Sequence, residues 1–476
     1  MFTAARARLA DYDRLIQTLQ TLEPQVMTVF GTVAAAHGPL LEVAGLHGFA
    51  PVGTLCRIES APPIRGEVIG FRDGVHLVML YGKAEGVAPA TRVTITGGAP
   101  VLPADGWLGR IVDGFGQPLD ATRHGFLPAG KHAASLLADP PRATERREVG
   151  PRLETGTHAF NTFLPLCRGQ RLGLFAGSGV GKSTLLAQLA ARAAIDVTVI
   201  GLIGERGREV REFVERTLGP DGLARSVVVV ATSDDPPLLK RRALYLATAL
   251  AEHFRDRGRQ VLLLVDSLTR FAEAHRDIAM AAGEPPSARS FPPSTFAQLA
   301  HLVERAGPGR EGAESGDITA LYTVLVQGSD QEEPLADAVR GLLDGHVILD
   351  REIAERGRYP AIDVLRSVSR TLPFCATDEE NALLQQARRR MTLHREMETM
   401  LRLGAYRPGT DAETDTAIAS HELLEGFLAT GTECPAIAES FGFLKAILNQ
   451  TAAPSGSTDA LAVPGIGCGR TPSSGR

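Results

Sequence analysis

The spacing of apolar and polar positions changes period along the chain, and each change marks a different kind of element. Near the start, Tyr12, Leu15, Ile16, Leu19 and Leu22 recur at helical spacing, with Arg6, Arg8, Asp11, Asp13 and Arg14 between them. This predicts an amphipathic helix within residues 1–23 that ends before Pro24 and either packs on its own domain or engages a partner or membrane surface. From 24 to 96, short β-rich runs alternate with glycines: Val26–Val33, Leu40–Val43, Thr54–Ile58, Gly66–Phe71, Val75–Tyr81 and Arg92–Ile95. Close spacing with turn signals predicts a small antiparallel barrel or sandwich. Gly106–Asp120 (GWLGRIVDGFGQPLD) is glycine-rich and leads into a polar, proline-containing linker at 121–150.

Between 170 and 350 the runs become continuously apolar and alternate with helical segments: Arg171–Phe175, Val197–Gly204, Val227–Thr232, Gln260–Asp266, Ile318–Val326 and His346–Leu349. Buried parallel strands have this pattern because helices cover both faces of their sheet, so 170–350 reads as a doubly wound α/β segment, within a domain bounded at 97–375 that includes the linker 121–150. From 376 to 450 the pattern is helical. Thr377 and Glu380 form a capping box before Leu383–Leu403, and a second stretch runs from Thr416 to Leu428. The segment 451–476 holds 15 Gly, Pro, Ser or Thr and no aromatic residue, and is read as a disordered tail.

Composition narrows the class. At 476 residues the chain is long enough for roughly three domains. A net charge of −5 argues against a general nucleic-acid binder. Five scattered cysteines, Cys56, Cys167, Cys375, Cys434 and Cys468, fit reduced thiols in a cytoplasmic protein better than a disulfide framework or a zinc site. No apolar run reaches the ~18–20 residues that a spanning helix needs, and residues 1–22 lack the apolar core of a signal peptide. Only five of the 50 basic residues are lysines, so a lysine inside a motif stands out.

One does. Ala176-Gly177-Ser178-Gly179-Val180-Gly181-Lys182-Ser183-Thr184 follows the strand Arg171–Phe175 and opens a helix. Strand, glycine-rich turn and helix N-terminus form a phosphate cradle: backbone N–H groups face the phosphate oxygens, Lys182 reaches the β and γ phosphates of ATP, and the Ser183 hydroxyl suits Mg²⁺. Ala176 stands where the strict pattern has glycine. The strand Val261–Val265 ends in Asp266, the place for a second carboxylate on the metal side. After Val197–Ile203 comes Gly204-Glu205-Arg206-Gly207-Arg208-Glu209, and Glu205 is the candidate to orient the attacking water. Glu209 is a candidate for the Mg²⁺ water shell or a solvated acid, and Arg206 a second candidate at the site or a surface charge. Downstream, Tyr359 offers a face for adenine, and Arg370 could meet γ-phosphate charge from a neighbouring subunit.

AGSGVGKST, GLIGERGRE, VDSLTRFA, PPSTFAQL and YPAIDVLRSVSR resemble the catalytic-subunit family of rotary ATP synthases, and within it the type III export ATPases of the flagellum-specific branch. LGRIVDGFGQPLD and VILDREIAERGRYPAID extend the resemblance to roughly residues 25–450. It implies a RecA-like P-loop NTPase core with an N-terminal β-barrel and a C-terminal helical domain, assembled as a homohexamer with ATP and Mg²⁺ at the subunit interfaces. It also implies roles. Lys182 and Ser183 hold phosphates and metal, Asp266 is the metal-side carboxylate, Glu205 is catalytic, Arg370 acts in trans and Tyr359 stacks on adenine.

Non-catalytic subunits of the resembled family typically lack the glutamate that stands here as Glu205, so its presence favours hydrolysis. Ser178-Gly179-Val180 resembles the flagellar branch rather than the virulence-type injectisome relatives. The resemblance further implies a cytoplasmic position at the inner-membrane face of the export apparatus. A regulatory stator-like export protein would meet the N-terminus and a coiled-coil stalk protein the C-terminal helices, with the export gate, chaperones and export substrates as further partners and no nucleic acid. The remaining readings are the injectisome ATPase, a non-catalytic nucleotide-binding ring subunit, and an RNA translocase on the same core.

Overall fold

The structure, a computed structural model, describes residues 29–450 apart from 99, 178, 288–289, 313, 327–332, 430 and 432–433. The helix expected within 1–23, Ser178 and the tail 451–476 lie outside the described residues.

Six strands, β1 (Phe30–His37), β2 (Leu40–Ala44), β3 (Leu55–Ile58), β4 (Ile64–Arg72), β5 (Val75–Leu80) and β6 (Arg92–Ile95), close into an antiparallel barrel of order β1-β2-β5-β4-β3-β6. Alternation does the sorting: Val33, Leu41, Val43, Ile58, Val68, Val78, Leu80 and Val93 point inward and are buried. Closure leaves no free strand edge. Of the run expected over Val26–Val33, residues 26–28 lie outside the described residues; β1 begins at Phe30 and bulges between Val33 and Ala35.

Eight strands form the second sheet: β7 (Arg110–Val112), β8 (Arg171–Ala176), β9 (Val197–Glu205), β10 (Ser226–Thr232), β11 (Val261–Asp266), β12 (Ile318–Leu325), β13 (Gly345–Leu349) and β14 (Val368–Ser369). Their order is β14-β13-β8-β12-β11-β9-β10-β7, parallel throughout except for β14 against β13. The strands expected from the continuous apolar runs are all present within a residue or two of their ends. Helices cover both faces. On one side lies α1 (Lys182–Arg192); on the other lie α2 (Pro237–Arg255), α3 (Leu268–Ala281), α4 (Pro293–Arg305) and α5 (Pro334–Leu342). The helical region follows as α6 (Asp378–Arg402), α7 (Ala412–Leu428) and α8 (Ile437–Gln450), packed on the α1 side of the sheet. Thr377 caps α6 with the expected reciprocal bonds to Glu380. Beyond the two stretches named individually within 376–450, the last of which ends at Leu428, a third helix is present: Phe441, Leu444 and Leu448 of α8 are buried at helical spacing.

Two segments read as glycine-rich or linking prove to be structural. Residues 106–120 hold β7, which extends the sheet beside β10, and a tight turn in which Asp113 Oδ1 accepts from the Phe115 and Gln117 N–H groups at 2.8 Å each. Buried Arg110 closes that turn on Asp120, with Nη2 to Oδ1 at 2.8 Å and Nε to Oδ2 at 3.0 Å. The following segment is irregular but fastened: Arg147 donates to Asp317 at 2.7 Å, and Arg305 to the carbonyls of Leu136 and Ser135.

Candidate active site

Parallel strands deliver their C-terminal ends to one rim, and chemistry collects there. Register makes this concrete: Ala176 of β8 lies beside Leu325 of β12, Val265 of β11 beside Tyr322, and Asp266 beside Leu202 of β9. Lys182 enters from the first turn of α1. Its Nζ lies 2.5 Å from Asp266 Oδ1 and 3.3 Å from Glu205 Oε1. Three residues separated by up to 84 positions thus meet within one ion-paired cluster. Burial alone would lower the Lys182 pKa, but the facing Asp266 and then Glu205 outweigh it, and the ammonium is held charged. Asp266 is buried, which pushes its carboxyl up; Lys182 and Thr323 oppose that.

The loop between strand and helix is shaped by left-handed glycines, Gly179 at φ +81° and Gly181 at φ +87°. Gly181 also lacks the room for a side chain, since a Cβ there would lie 3.1 Å from Tyr359 Cδ1. Tyr359 therefore packs one side of its ring over the phosphate loop and remains half-exposed on the other. Gly177 precedes the turn, and Val180 is buried beneath it. Ser183 and Thr184 are exposed at the start of α1, beside Lys182. Gly204, at φ +77°, leaves no space for a Cβ above Arg270, so the chain turns sharply just before Glu205.

Other candidates stand apart. Arg206 pairs with Glu209 at 3.5 Å, and both are exposed, with side chains at 80% and 51%. Neither contacts Lys182 or Asp266. Arg370 follows β14 at the opposite end of the sheet, where its N–H donates to Asp344 O. Five strand steps from Arg171 to Ala176, at ~3.3 Å each, separate that end from the phosphate loop by roughly 16 Å. One chain does not bring Arg370 to its own Lys182.

Two contributors escaped the sequence reading. Thr323 Oγ1 donates to Asp266 Oδ1 at 2.7 Å from the adjacent strand, and Thr269 Oγ1 accepts from the Leu325 N–H at 2.9 Å, tying the end of β12 to α3. The available signal was a threonine interrupting the apolar run ITALYTVL, but its meaning depends on the β11–β12 register.

The donor set suits a hard cation. A hydroxyl at Ser183 and a carboxylate at Asp266 are oxygen ligands of the type that holds Mg²⁺ together with phosphates and water. Glu209 is engaged with Arg206 instead.

Known proteins share this fold and its nucleotide-binding domain. Residues 156–369 match the ATP synthase alpha/beta family, nucleotide-binding domain, and residues 376–446 match the type III secretion EscN ATPase C-terminal domain. The flagellum-specific ATP synthase of Caulobacter vibrioides is 49% identical over 441 residues, covering 91% of this chain and 98% of that protein. The type 3 secretion system ATPase of Xanthomonas euvesicatoria is 44% identical over 424 residues, covering 87% and 93%. The solved structure of the assembled ATPase EscN from the enteropathogenic E. coli type III secretion system superposes with a TM-score of 0.81 at 35% identity, covering 88% of this chain and all of that one. The chain belongs to the family of flagellum-specific and type III secretion ATPases.

Proposed function

We propose that this protein hydrolyses ATP with Mg²⁺ as a homohexamer and thereby assists flagellar type III export, releasing substrates from chaperones and promoting their entry to the export gate. The observation that carries the reading is the meeting of Lys182, Asp266 and Glu205 at one rim, with Glu205 Oε1 3.3 Å from Lys182 Nζ. The loop N–H groups and Lys182 bind the β and γ phosphates, which take over from the carboxylates as partners of the ammonium. Ser183 and Asp266 would hold Mg²⁺, which supplies charge neutralisation on the phosphates. Glu205 accepts a hydrogen bond from the attacking water and orients it. Tyr359 stacks on adenine. Arg370, remote from its own phosphate loop and exposed, is supplied to the next subunit's γ-phosphate, which makes each site incomplete without a second copy.

EscN is solved as an assembled ATPase and in complex with its central stalk EscO, which supports assembly and a stalk partner; the site assigned to that partner here is the C-terminal helices. The segment 1–23 is assigned to a regulatory stator-like partner or the membrane surface, consistent with peripheral placement at the inner-membrane face. Among the described residues no helix is long and apolar enough to cross a membrane.

The injectisome reading draws on the Xanthomonas relative and the EscN C-terminal domain match. A deletion strain separates the two. Loss of swimming and filament export, restored by the wild-type gene but not by Lys182→Ala, supports flagellar export; intact flagella refute it. A non-catalytic ring subunit predicts ATP binding without turnover, and RNA-stimulated hydrolysis would indicate a translocase.

A further inference from the structure

The stretch that carries Tyr359 and Arg370 is fastened from outside the nucleotide-binding core. Asp363 is buried, and its Oδ1 accepts from the N–H groups of Leu365 at 3.0 Å and Arg366 at 3.2 Å, shaping the turn. The same oxygen accepts from Arg395 Nη2 of α6 at 2.9 Å. Arg358, adjacent to Tyr359 and 7% exposed, donates from Nη2 to Ile362 O at 2.9 Å. Its Nε lies 2.8 Å from Glu425 Oε2 of α7. Arg388 of α6 adds a bond from Nη1 to Val364 O at 2.8 Å. Backbone ties run the other way, with Asp363 N–H bonded to Ile348 O of β13. The turn is thus held between the sheet and two helices of the C-terminal region, and Tyr359 sits at its end against Gly181.

In each of these ion pairs the inner partner, Asp363 or Arg358, is buried while the helix residue, Arg395 or Glu425, is partly exposed, so a charged anchor inside the turn is held by a group reaching in from the helices. None of Arg395, Glu425 or Arg358 is at the phosphate loop. We propose that Arg395 and Glu425 are positioning residues for the nucleotide base: acting through Asp363 and Arg358, they set the turn that aims the Tyr359 ring. The C-terminal helices thereby govern base affinity without touching the nucleotide. This rests on the reading of Tyr359 as the adenine-stacking residue.

The test separates base binding from phosphate binding in the full-length protein. ADP and pyrophosphate, each with Mg²⁺, are titrated calorimetrically into wild type, Arg395→Gln, Arg395→Lys, Glu425→Gln, Tyr359→Ala and the Arg395→Gln/Tyr359→Ala double variant. Arg395 is half-exposed, so Arg395→Gln keeps the fold even if Glu425→Gln, which strands a buried guanidinium, does not. Arg395→Gln is expected to weaken ADP about threefold to tenfold, the scale of one ordinary hydrogen bond because Arg395 is half-exposed, with pyrophosphate affinity unchanged. Arg395→Lys should recover most of it. In the Tyr359→Ala background, Arg395→Gln should cost nothing further. Equal weakening of ADP and pyrophosphate, or additive losses in the double variant, overturns the proposal. If Tyr359→Ala weakens ADP and Arg395→Gln does not, the positioning role alone fails; if Tyr359→Ala leaves ADP affinity intact, the stacking reading fails and the proposal with it.

Discussion

Arg305 is the largest fully buried side chain in the molecule's described part, and replacing it with methionine should be among the most damaging single changes outside the site. Its guanidinium pairs with Glu252, Nη2 to Oε2 at 2.5 Å and Nε to Oε1 at 3.0 Å. The same group donates to Leu136 O at 2.6 Å and Ser135 O at 3.3 Å, fastening the segment before the core to α4. Arg305→Met keeps the apolar stem but strands the Glu252 carboxylate, which is 8% exposed. Breaking one side of such a pair costs about 3–5 kcal/mol. The two carbonyls losing their donor add about 1–3 kcal/mol before water relieves them. Taking ~5 kcal/mol and an unfolding entropy near 2.1 cal/mol/K per residue over a core of roughly 280 residues, the calorimetric transition should fall by about 8 °C. Adding Glu252→Leu removes the stranded charge and should recover about 3 kcal/mol, because the pair itself contributes little relative to apolar replacements. Differential scanning calorimetry of wild type, the single variant and the double variant decides it. A single variant within 1 kcal/mol of wild type, or a double variant no better than the single, would refute the assignment of the loss to an uncompensated buried carboxylate.

Other expectations follow from the site and its surroundings. Glu205→Gln should bind ATP normally and lose on the order of 10²–10⁴-fold in steady-state turnover; normal turnover would remove Glu205 from the water-orienting role. Mixing Arg370→Ala with Lys182→Ala subunits should restore activity that neither has alone, at about a quarter of interfaces under random assembly; no restoration would deny the arginine its role in trans. Thr323→Val should lose about 1.5–3 kcal/mol of support at Asp266, read as lowered activity, with Thr323→Ser retaining it. Buried His253 and His275 are pushed down to about 4 by desolvation, then by Arg257 and Arg241 respectively. The unfolded chain takes up those protons near pH 6.5, so it binds more protons than the fold between there and pH 4. Stability should therefore fall as pH drops through that window, by about 2 kcal/mol per histidine between pH 7 and pH 4.5, measured as denaturation midpoints at those two values.

Much of the fold was legible because its signals are local. The phosphate loop announces itself through Gly179, Gly181 and Lys182 in nine consecutive residues, and continuous apolar runs such as Val261–Val265 specify buried parallel strands. Closely spaced β-rich runs with turn signals between them marked the barrel, and a Thr-x-x-Glu pattern marked the start of α6. Where local signals conflict, the reading weakened. Residues 106–120 look like a glycine-rich loop, yet they hold β7, since the partner that makes Arg110–Val112 a strand is β10, more than a hundred residues away.

By itself, then, the amino-acid sequence determined the classes of element, their order and the residues able to handle phosphate and metal, because propensity, periodicity and turn chemistry act over a few residues. Only the tertiary structure decided which of those residues meet. Parallel register carries Asp266, Thr323 and Glu205 to the rim where Lys182 waits, and it sends Arg370 to the far end of the same sheet. It also decided that Arg206 and Glu209 face each other and the solvent, and that α6 and α7 reach back to the turn beside Tyr359. Strand order and helix docking are set by burying apolar faces from the whole chain at once, and no window of neighbouring residues contains that information.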